Sequence, residues 1–460
     1  MDRRVSLVSQ DRLVRRICRH SKTTSKLLGI LLAAMTVGAC NWSSREPVLL
    51  TLFRPGWSQN DQKAERLLKE FTQETEIHVK DLPVPESTLD ALNLSRKLMQ
   101  QGSSGPDVLG LDVVWAGSLE GDLVDLGPSS KAEIAQLRPE LMPSYTVAGR
   151  LVAIPYRLQI GALEYRTDLL REYGYDHPPT TWDELETMAI RIQNGERAKG
   201  KKNFWGYVWQ GAPTEGLTCN ALEWQFAEGG GRIVESNRTI SVNNPATIRA
   251  WQRAKHWIGW ISPPSVLAYR ETDSMNVFDS GGAAFNRAWA EIAITPTGSS
   301  SLLRWRDSLA VDRTGYASLP GGPGGRVGTL GGSGLAVSQS SSHSREAIAL
   351  ALFMTRAQVQ SDTETNDGAD TQAGRPEVHD LPSFLDPAEQ KEKIGLHRSS
   401  IISRPSSVTG RAYEQVSAAY VAAVHSVLTG KETAPAAAAA LEKQLIRITG
   451  FRVAFARPEK

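Results

Sequence analysis

Three observations predict an α/β fold built on a largely parallel sheet covered by helices. Downstream of residue 46 the hydrophobic pattern alternates between strand and helix periods in the order β-α-β-α-β. Setting aside an N-terminal leader, about 420 of the 460 residues remain, a length that favours two or three domains over one. Cysteine is scarce: Cys18 lies in the leader and Cys40 at its end, so Cys219 stands alone. A hydrophobic core, not disulfides, must then hold the fold, and Cys219 reads as a small buried residue.

The elements follow in order. Leu49 to Arg54 reads as a strand, and Ala64, Leu67, Leu68 and Phe71 share one face of a helix at i, i+3, i+4 and i+7. Ile77–Leu82 is a second strand, Leu89–Met99 a helix, and Asp107–Asp112 a third strand. A second unit starts near Pro155, with a strand over Ile160–Tyr165 and a capping-box signal at Thr181-Trp182-Asp183-Glu184. Its helix turns Leu185, Met188, Ala189 and Ile192 inward. Phe204–Gln210 is strand-like, Glu215 towards Glu228 and Asn244–Ile261 are helical, and Ala283–Trp289 is a strand. The Gly- and Pro-rich run Gly315–Gly334 reads as a turn-rich connector, or as backbone amides lining a ligand cleft. Gly334–Val337 is then a strand, Ser344–Phe353 a helix, and the polar stretch Gln358–Arg375 a solvated loop. Thr409–Leu428 and Ala434–Ile448 close the chain as helices, and no internal repeat is apparent.

The leader is a secretory signal. Residues 1–26 carry eight Lys/Arg against two Asp, and Leu27–Ala39 then run 13 residues without a charge into Cys40. That apolar run is shorter than the roughly 20 residues a membrane-spanning helix needs. Val37-Gly38-Ala39-Cys40 resembles the lipobox of bacterial lipoproteins, which implies a signal peptide over 1–39, lipidation of Cys40, a linker over 40–46 and attachment to a membrane by lipid. The whole chain carries +2, while its first 40 residues carry eight basic and two acidic groups, so the mature part is mildly acidic, about −4. A body of that charge lacks the basic footprint of a nucleic-acid binder.

Enzyme signatures are missing from the sequence: no Gly-x-Ser-x-Gly elbow, no phosphate-binding Gly-x-x-x-x-Gly-Lys-Ser/Thr loop and no His-Glu-x-x-His. The eight histidines are never closer than 18 positions, which argues against a metal site, and nothing calls for a cofactor. Tryptophan is frequent, 12 against 10 Tyr and 10 Phe. Most should pack cores, yet an indole also offers a flat apolar face suited to the C–H faces of sugar rings.

Several segments in order resemble the extracellular solute-binding proteins of bacterial ABC sugar importers. They are Gly105-Pro106-Asp107-Val108, Asp112-Val113-Val114-Trp115 and Gly121-Asp122-Leu123-Val124-Asp125-Leu126. Ala153-Ile154-Pro155-Tyr156, Thr167-Asp168-Leu169-Leu170 and Pro178-Pro179-Thr180-Thr181-Trp182-Asp183-Glu184-Leu185 continue the series. Phe204-Trp205-Gly206-Tyr207-Val208-Trp209-Gln210-Gly211 through Glu215-Gly216-Leu217 is similar to the trehalose/maltose-binding branch. The resemblance covers nearly all of 47–450.

What it implies is a periplasmic-binding-protein-like fold: two discontinuous α/β lobes joined by hinge strands, with a ligand cleft between them. Lobe one is expected at 47–155 plus 290–355, and lobe two at 156–289 plus 356–455. The expected activity is capture of a di- or oligosaccharide by cleft closure and delivery to the transmembrane subunits of a permease, by a monomer that makes and breaks no covalent bond. The implied ligand residues are Asp112 at a strand's carboxyl end, Arg157 and Gln159 in the first crossover, Trp289 as stacking plate at the second, Gly331 and Gly332 for close backbone approach, and Arg404 in Ser403-Arg404-Pro405. Glu215, Glu271, Asn60 and Gln59 are weaker members. Trp115 reads equally as cleft wall or core. Departures from the pattern leave the ligand's identity open: Ser333 follows the paired glycines where an aromatic is usual, Gln159 replaces an acid or Asn, and Arg287-Ala288-Trp289-Ala290 replaces Arg-Asn-Trp-Pro. Two alternatives stay open, a cell-surface glycoside-processing enzyme and a binder of a phosphorylated polyol, the latter kept alive by Arg157 and Arg404.

Overall fold

The computed structural model describes residues 47–54, 62–84, 88–100, 105–137, 139–292, 313–364 and 401–454. The expected leader, Cys40, Gln59 and Asn60 lie outside them. The first unit is as the periodicity demands: β1 (Leu49–Phe53), α1 (Gln62–Thr75), β2 (His78–Asp81), α2 (Thr88–Met99) and β3 (Val108–Asp112), with β1 parallel to both β2 and β3. A short α3 (Ala116–Leu119) follows. The chain then enters β4 (Ile154–Arg166), at 13 residues much longer than the expected Ile160–Tyr165.

Beyond β4 come α4 (Trp182–Ala198), β5 (Trp205–Val208), α5 (Glu215–Ala227), α6 (Pro245–Trp257), α7 (Glu271–Asp279) and β6 (Ala283–Ile292). Capping sets the helix starts. Thr181 Oγ1 accepts from the Glu184 amide at 3.1 Å, and Asn244 Oδ1 from that of Thr247 at 2.9 Å. Instead of a turn-rich connector, the glycine-rich run contains β7 (Thr314–Ser318) and β8 (Gly328–Val337). α8 (Ser344–Glu364) likewise continues past Phe353 into the first part of the expected polar loop. β9 (Ile401–Ile402), α9 (Ser406–Thr409), α10 (Tyr413–Leu428) and α11 (Ala434–Thr449) follow, before a two-residue strand at Arg452–Val453.

The main sheet runs β2-β1-β3-β8-β4-β6-β5, with β7 beside β4 and β9 beside β8. It is mixed, not largely parallel, because β8 lies antiparallel to both β3 and β4, and β4 antiparallel to β6. Two large hydrophobic clusters use it. One gathers Leu50, Leu52, Val108, Leu111, Leu330 and Leu350; the other gathers Trp182, Trp209, Trp224, Trp251, Trp257 and Leu441. In the second, Trp209 and Trp224 meet edge to face at 4.9 Å, and the Trp209 Nε1–H donates to Ser262 Oγ at 3.0 Å. Each such fully buried side chain contributes roughly 1.5–3 kcal/mol relative to exposure.

The boundary between the two cores falls inside strands. On β4, Leu158, Ile160 and Ala162 belong to the first cluster and Leu163 and Tyr165 to the second. Successive residues of a strand point to opposite faces, so β4 gives its even positions to one lobe and its odd ones to the other. β6 does likewise with Ala290 and Phe285. The first core therefore reaches along β4 to Ala162. Ala317, Leu319 and Val327 pack with the second core. Tyr413, at the start of α10, packs in the first core, whereas Val416 and Tyr420 pack in the second.

Candidate ligand site

Cross-strand register builds a strip on one face of the sheet. Ser333 of β8 stands opposite Asp112 on one side and Arg157 on the other; the next row pairs Gly331 with Gln159, and the next Gly161 with Trp289. Directly opposed residues share a face. Asp112, Arg157, Gln159, Gly331 and Trp289 therefore share the face that β4 turns toward the second core. Asp112, Arg157, Gln159 and Trp289 are all partly exposed.

Trp289 is held by what lies around it. A Cβ built on Gly331 would come within 2.7 Å of the indole Cζ3, so the ring lies where only glycine leaves room. Beside it the Arg287 guanidinium sits 3.9 Å from the ring centroid, within cation–π range. Arg287 is itself fixed by Glu223 of α5, through Nη2–H to Oε1 at 2.6 Å and Nε–H to Oε2 at 3.1 Å. The Thr329 amide of β8 also donates to Glu223, at 2.9 Å. This pair lies directly over Gly161, where a Cβ would approach the Glu223 carboxylate to 2.0 Å. Helix α5 is thus bonded to β6 and β8 through one carboxylate.

A second cluster lies at the other end of α5. Glu215, its first residue, accepts from Arg404 Nη1 at 2.7 Å, from Ser417 Oγ at 2.6 Å and from the Tyr413 hydroxyl. Arg404 also donates through Nη2 to the Leu330 carbonyl at 3.1 Å. Its buried Nε has no partner among the described residues. Asp112 caps the following turn, accepting the Val114 amide at 3.0 Å. Burial lifts its carboxyl above the ordinary range, although Arg404 pulls the other way. The Tyr145 hydroxyl is buried without a partner among the described residues, and burial together with Asp112 disfavours its ionisation.

The other expected residues take different places. Trp115 is 3 % exposed and packs in the first core, which decides between its two readings. Gly332 has φ +96° at the bulge where the β4–β8 register shifts, and its Cβ would strike the Arg157 carbonyl at 2.1 Å. The local backbone therefore explains this glycine without a ligand. Glu271 opens α7 beside the first turn of α5, its Oε1 2.7 Å from where a Cβ on Gly216 would stand. Cys219 is buried and free, its thiol pushed up to about 12 by burial. Sequence reasoning missed Glu223, Arg287, Tyr145, Tyr413 and Ser417. Only Arg287 left a signal: two positions from Trp289 on a strand, it had to share its face. Among the described residues no group of three or more His, Cys, Asp or Glu is placed to hold a metal ion, and no helix is long and apolar enough to cross a membrane.

A strip of polar groups around a partly exposed indole lies on a sheet whose strands β4 and β6 serve both cores. The chain belongs to the bacterial extracellular solute-binding protein family, whose model matches residues 56–361. It is 37 % identical over 421 residues to a probable ABC transporter-binding protein of Deinococcus radiodurans, covering 90 % of this chain and 97 % of that one. Maltose-bound MalE3 of T. maritima superposes with a TM-score of 0.70 at 31 % identity, covering 87 % of this chain and 100 % of MalE3. The tagatose-bound ABC transporter solute-binding protein of Thermotoga lettingae gives 0.69 at 20 % identity, with 88 % and 100 % covered, and so bears on the fold alone. The fold is periplasmic-binding-protein-like, as the sequence implied.

Proposed function

We propose that this protein is the sugar-capturing component of an ABC importer, anchored outside the cytoplasmic membrane by lipid on Cys40 and handing a di- or oligosaccharide to the permease as a monomer. The observation that carries this reading is Trp289. Trp182, Trp209, Trp224, Trp251 and Trp257 are all buried to 2 % or less. Trp205, Trp260 and Trp289 are partly exposed, and of these it is Trp289 that lies on the strip, packed against Gly331 with the Arg287 guanidinium over one face of its ring and Asp112, Gln159 and Arg157 on the same sheet face. A sugar ring laid on the indole would bury its C–H face, and its hydroxyls would then need charged or polar partners to replace lost water. The likeness to a maltose-bound protein at 31 % identity supports the same ligand class.

Closure follows if the ligand makes contacts in the closed arrangement that the open one lacks. β4 and β6 each carry residues of both cores, so relative motion of the lobes would bend these strands. The test is a thermal-shift screen of the full-length protein in detergent against maltose, trehalose, sucrose and glucosylglycerol. A ligand at 100 times its Kd should add about 2.7 kcal/mol of stability. Trp289→Ala, or Gly331→Val with its methyls driven into the indole, should remove most of the shift. A full shift in Trp289→Ala, or none with any sugar in the parent protein, sinks the reading.

A further inference from the structure

Glu215 occupies a place built for an anion. Its carboxylate sits at the start of α5, a 13-residue helix whose first amides favour negative charge. Around it converge Arg404 Nη1 at 2.7 Å, Ser417 Oγ at 2.6 Å and the Tyr413 hydroxyl. A guanidinium, two hydroxyls and a helix terminus are the donors that proteins turn on phosphoryl groups. Here they are spent on a side chain of the protein itself. The other arm of the Arg404 fork is taken by the Leu330 carbonyl at 3.1 Å, so no bidentate grip remains for a ligand. Arg404 is 5 % exposed in its side chain and Glu215 34 %, so the carboxylate is the member that meets the solvent. Asp112, electrostatically coupled to Arg404, and Glu271, beside the first turn of α5, add further negative charge nearby.

We propose that Glu215 is the residue that sets this site for neutral polyhydroxyl ligands and closes it to phosphorylated ones, by standing in for the phosphate on Arg404, Tyr413 and Ser417. The inference rests on the reading that ligand binds along the Trp289–Arg404 strip. It turns the argument from Arg404 around: an arginine that on its own would favour a sugar or polyol phosphate is already neutralised.

The experiment pairs neutral and anionic probes on the full-length protein and on Glu215→Gln. The neutral probes are trehalose and maltose; the anionic ones are trehalose 6-phosphate, glycerol 3-phosphate and inorganic phosphate, read by thermal shift and titration calorimetry. The parent protein should show no response to millimolar anions, whereas Glu215→Gln should gain affinity for at least one of them by about tenfold or more. Anion binding by the parent protein as tight as any neutral sugar overturns the proposal, and Arg157 is present in both arms, so a grip through it would show there. A folded Glu215→Gln with no gain overturns it too. Should that variant not fold, the parent protein's response to the anions decides. Absence of any neutral-sugar response in the parent protein would instead defeat the sugar reading, a separate outcome.

Discussion

Helix α5 makes two arginine pairs, and their difference separates scaffold from site. At one end Glu223 holds Arg287 with side chains 1 % and 0 % exposed; at the other Glu215 holds Arg404 with 34 % and 5 %. The first pair is dry and bonded to two strands. It carries the indole on one side and closes over Gly161, and no solvent reaches it. The second pair keeps its carboxylate at the surface of the strip. Identical chemistry two helical turns apart gives a buried support in one case and a solvent-facing carboxylate in the other.

The comparison can be broken most forcefully at its dry end. Glu223→Ala leaves the Arg287 charge buried and the Thr329 amide without its acceptor. Removing one partner of a buried pair costs about 3–5 kcal/mol. Glu215→Ala should cost no more than about half of that, because water can reach its site. Equal losses in parallel thermal melts would refute the ranking by depth. A smaller effect is expected at Asp112, and it has a definite sign. Its carboxyl is raised by burial above the unfolded value, so the fold prefers the protonated form. That preference supports the fold at low pH and is lost as pH rises through the raised value, so the ionised group costs stability near neutrality. Asp112→Asn should therefore raise the unliganded Tm at neutral pH. The gain should shrink as pH falls into the ordinary carboxylate range, and a gain constant with pH would rule out this cause. The smallest effect belongs at the surface, where Lys199 and Glu172 pair with side chains 45 % and 50 % exposed. Glu172→Gln should change stability by less than about 1 kcal/mol, and less again in high salt. A larger loss would mean that depth is not what ranks these pairs.

Part of this was legible in the chain itself. β1, α1, β3 and α4 announce themselves by periodicity and capping, and Trp289 and Arg404 by the motifs around them. β8 did not. Gly328, Gly331, Gly332 and Gly334 read as a turn-forming run, because glycine weakens a strand wherever a side chain could pack. The strand exists because other groups need the space. A Cβ at Gly328 would meet the Gly161 carbonyl at 2.2 Å, and at Gly331 the indole. Glu215 and Glu271 were legible as acids at helix starts, but not as parts of a donor network. The Glu215 partners Tyr413 and Ser417 lie about 200 positions away.

Sequence alone determined the alternation of elements, the family and the apolar faces that each helix must bury, since these depend on residues close together in the chain. Tertiary structure decided which glycines make a strand, that Trp115 is core and Trp289 is not, and that α5 buries one carboxylate against two strands and leaves the other facing solvent. Those outcomes depend on burial and on distances between residues far apart in the chain. A carboxylate's role follows from which donors surround it and how much water remains, and neither is written in its neighbours along the sequence.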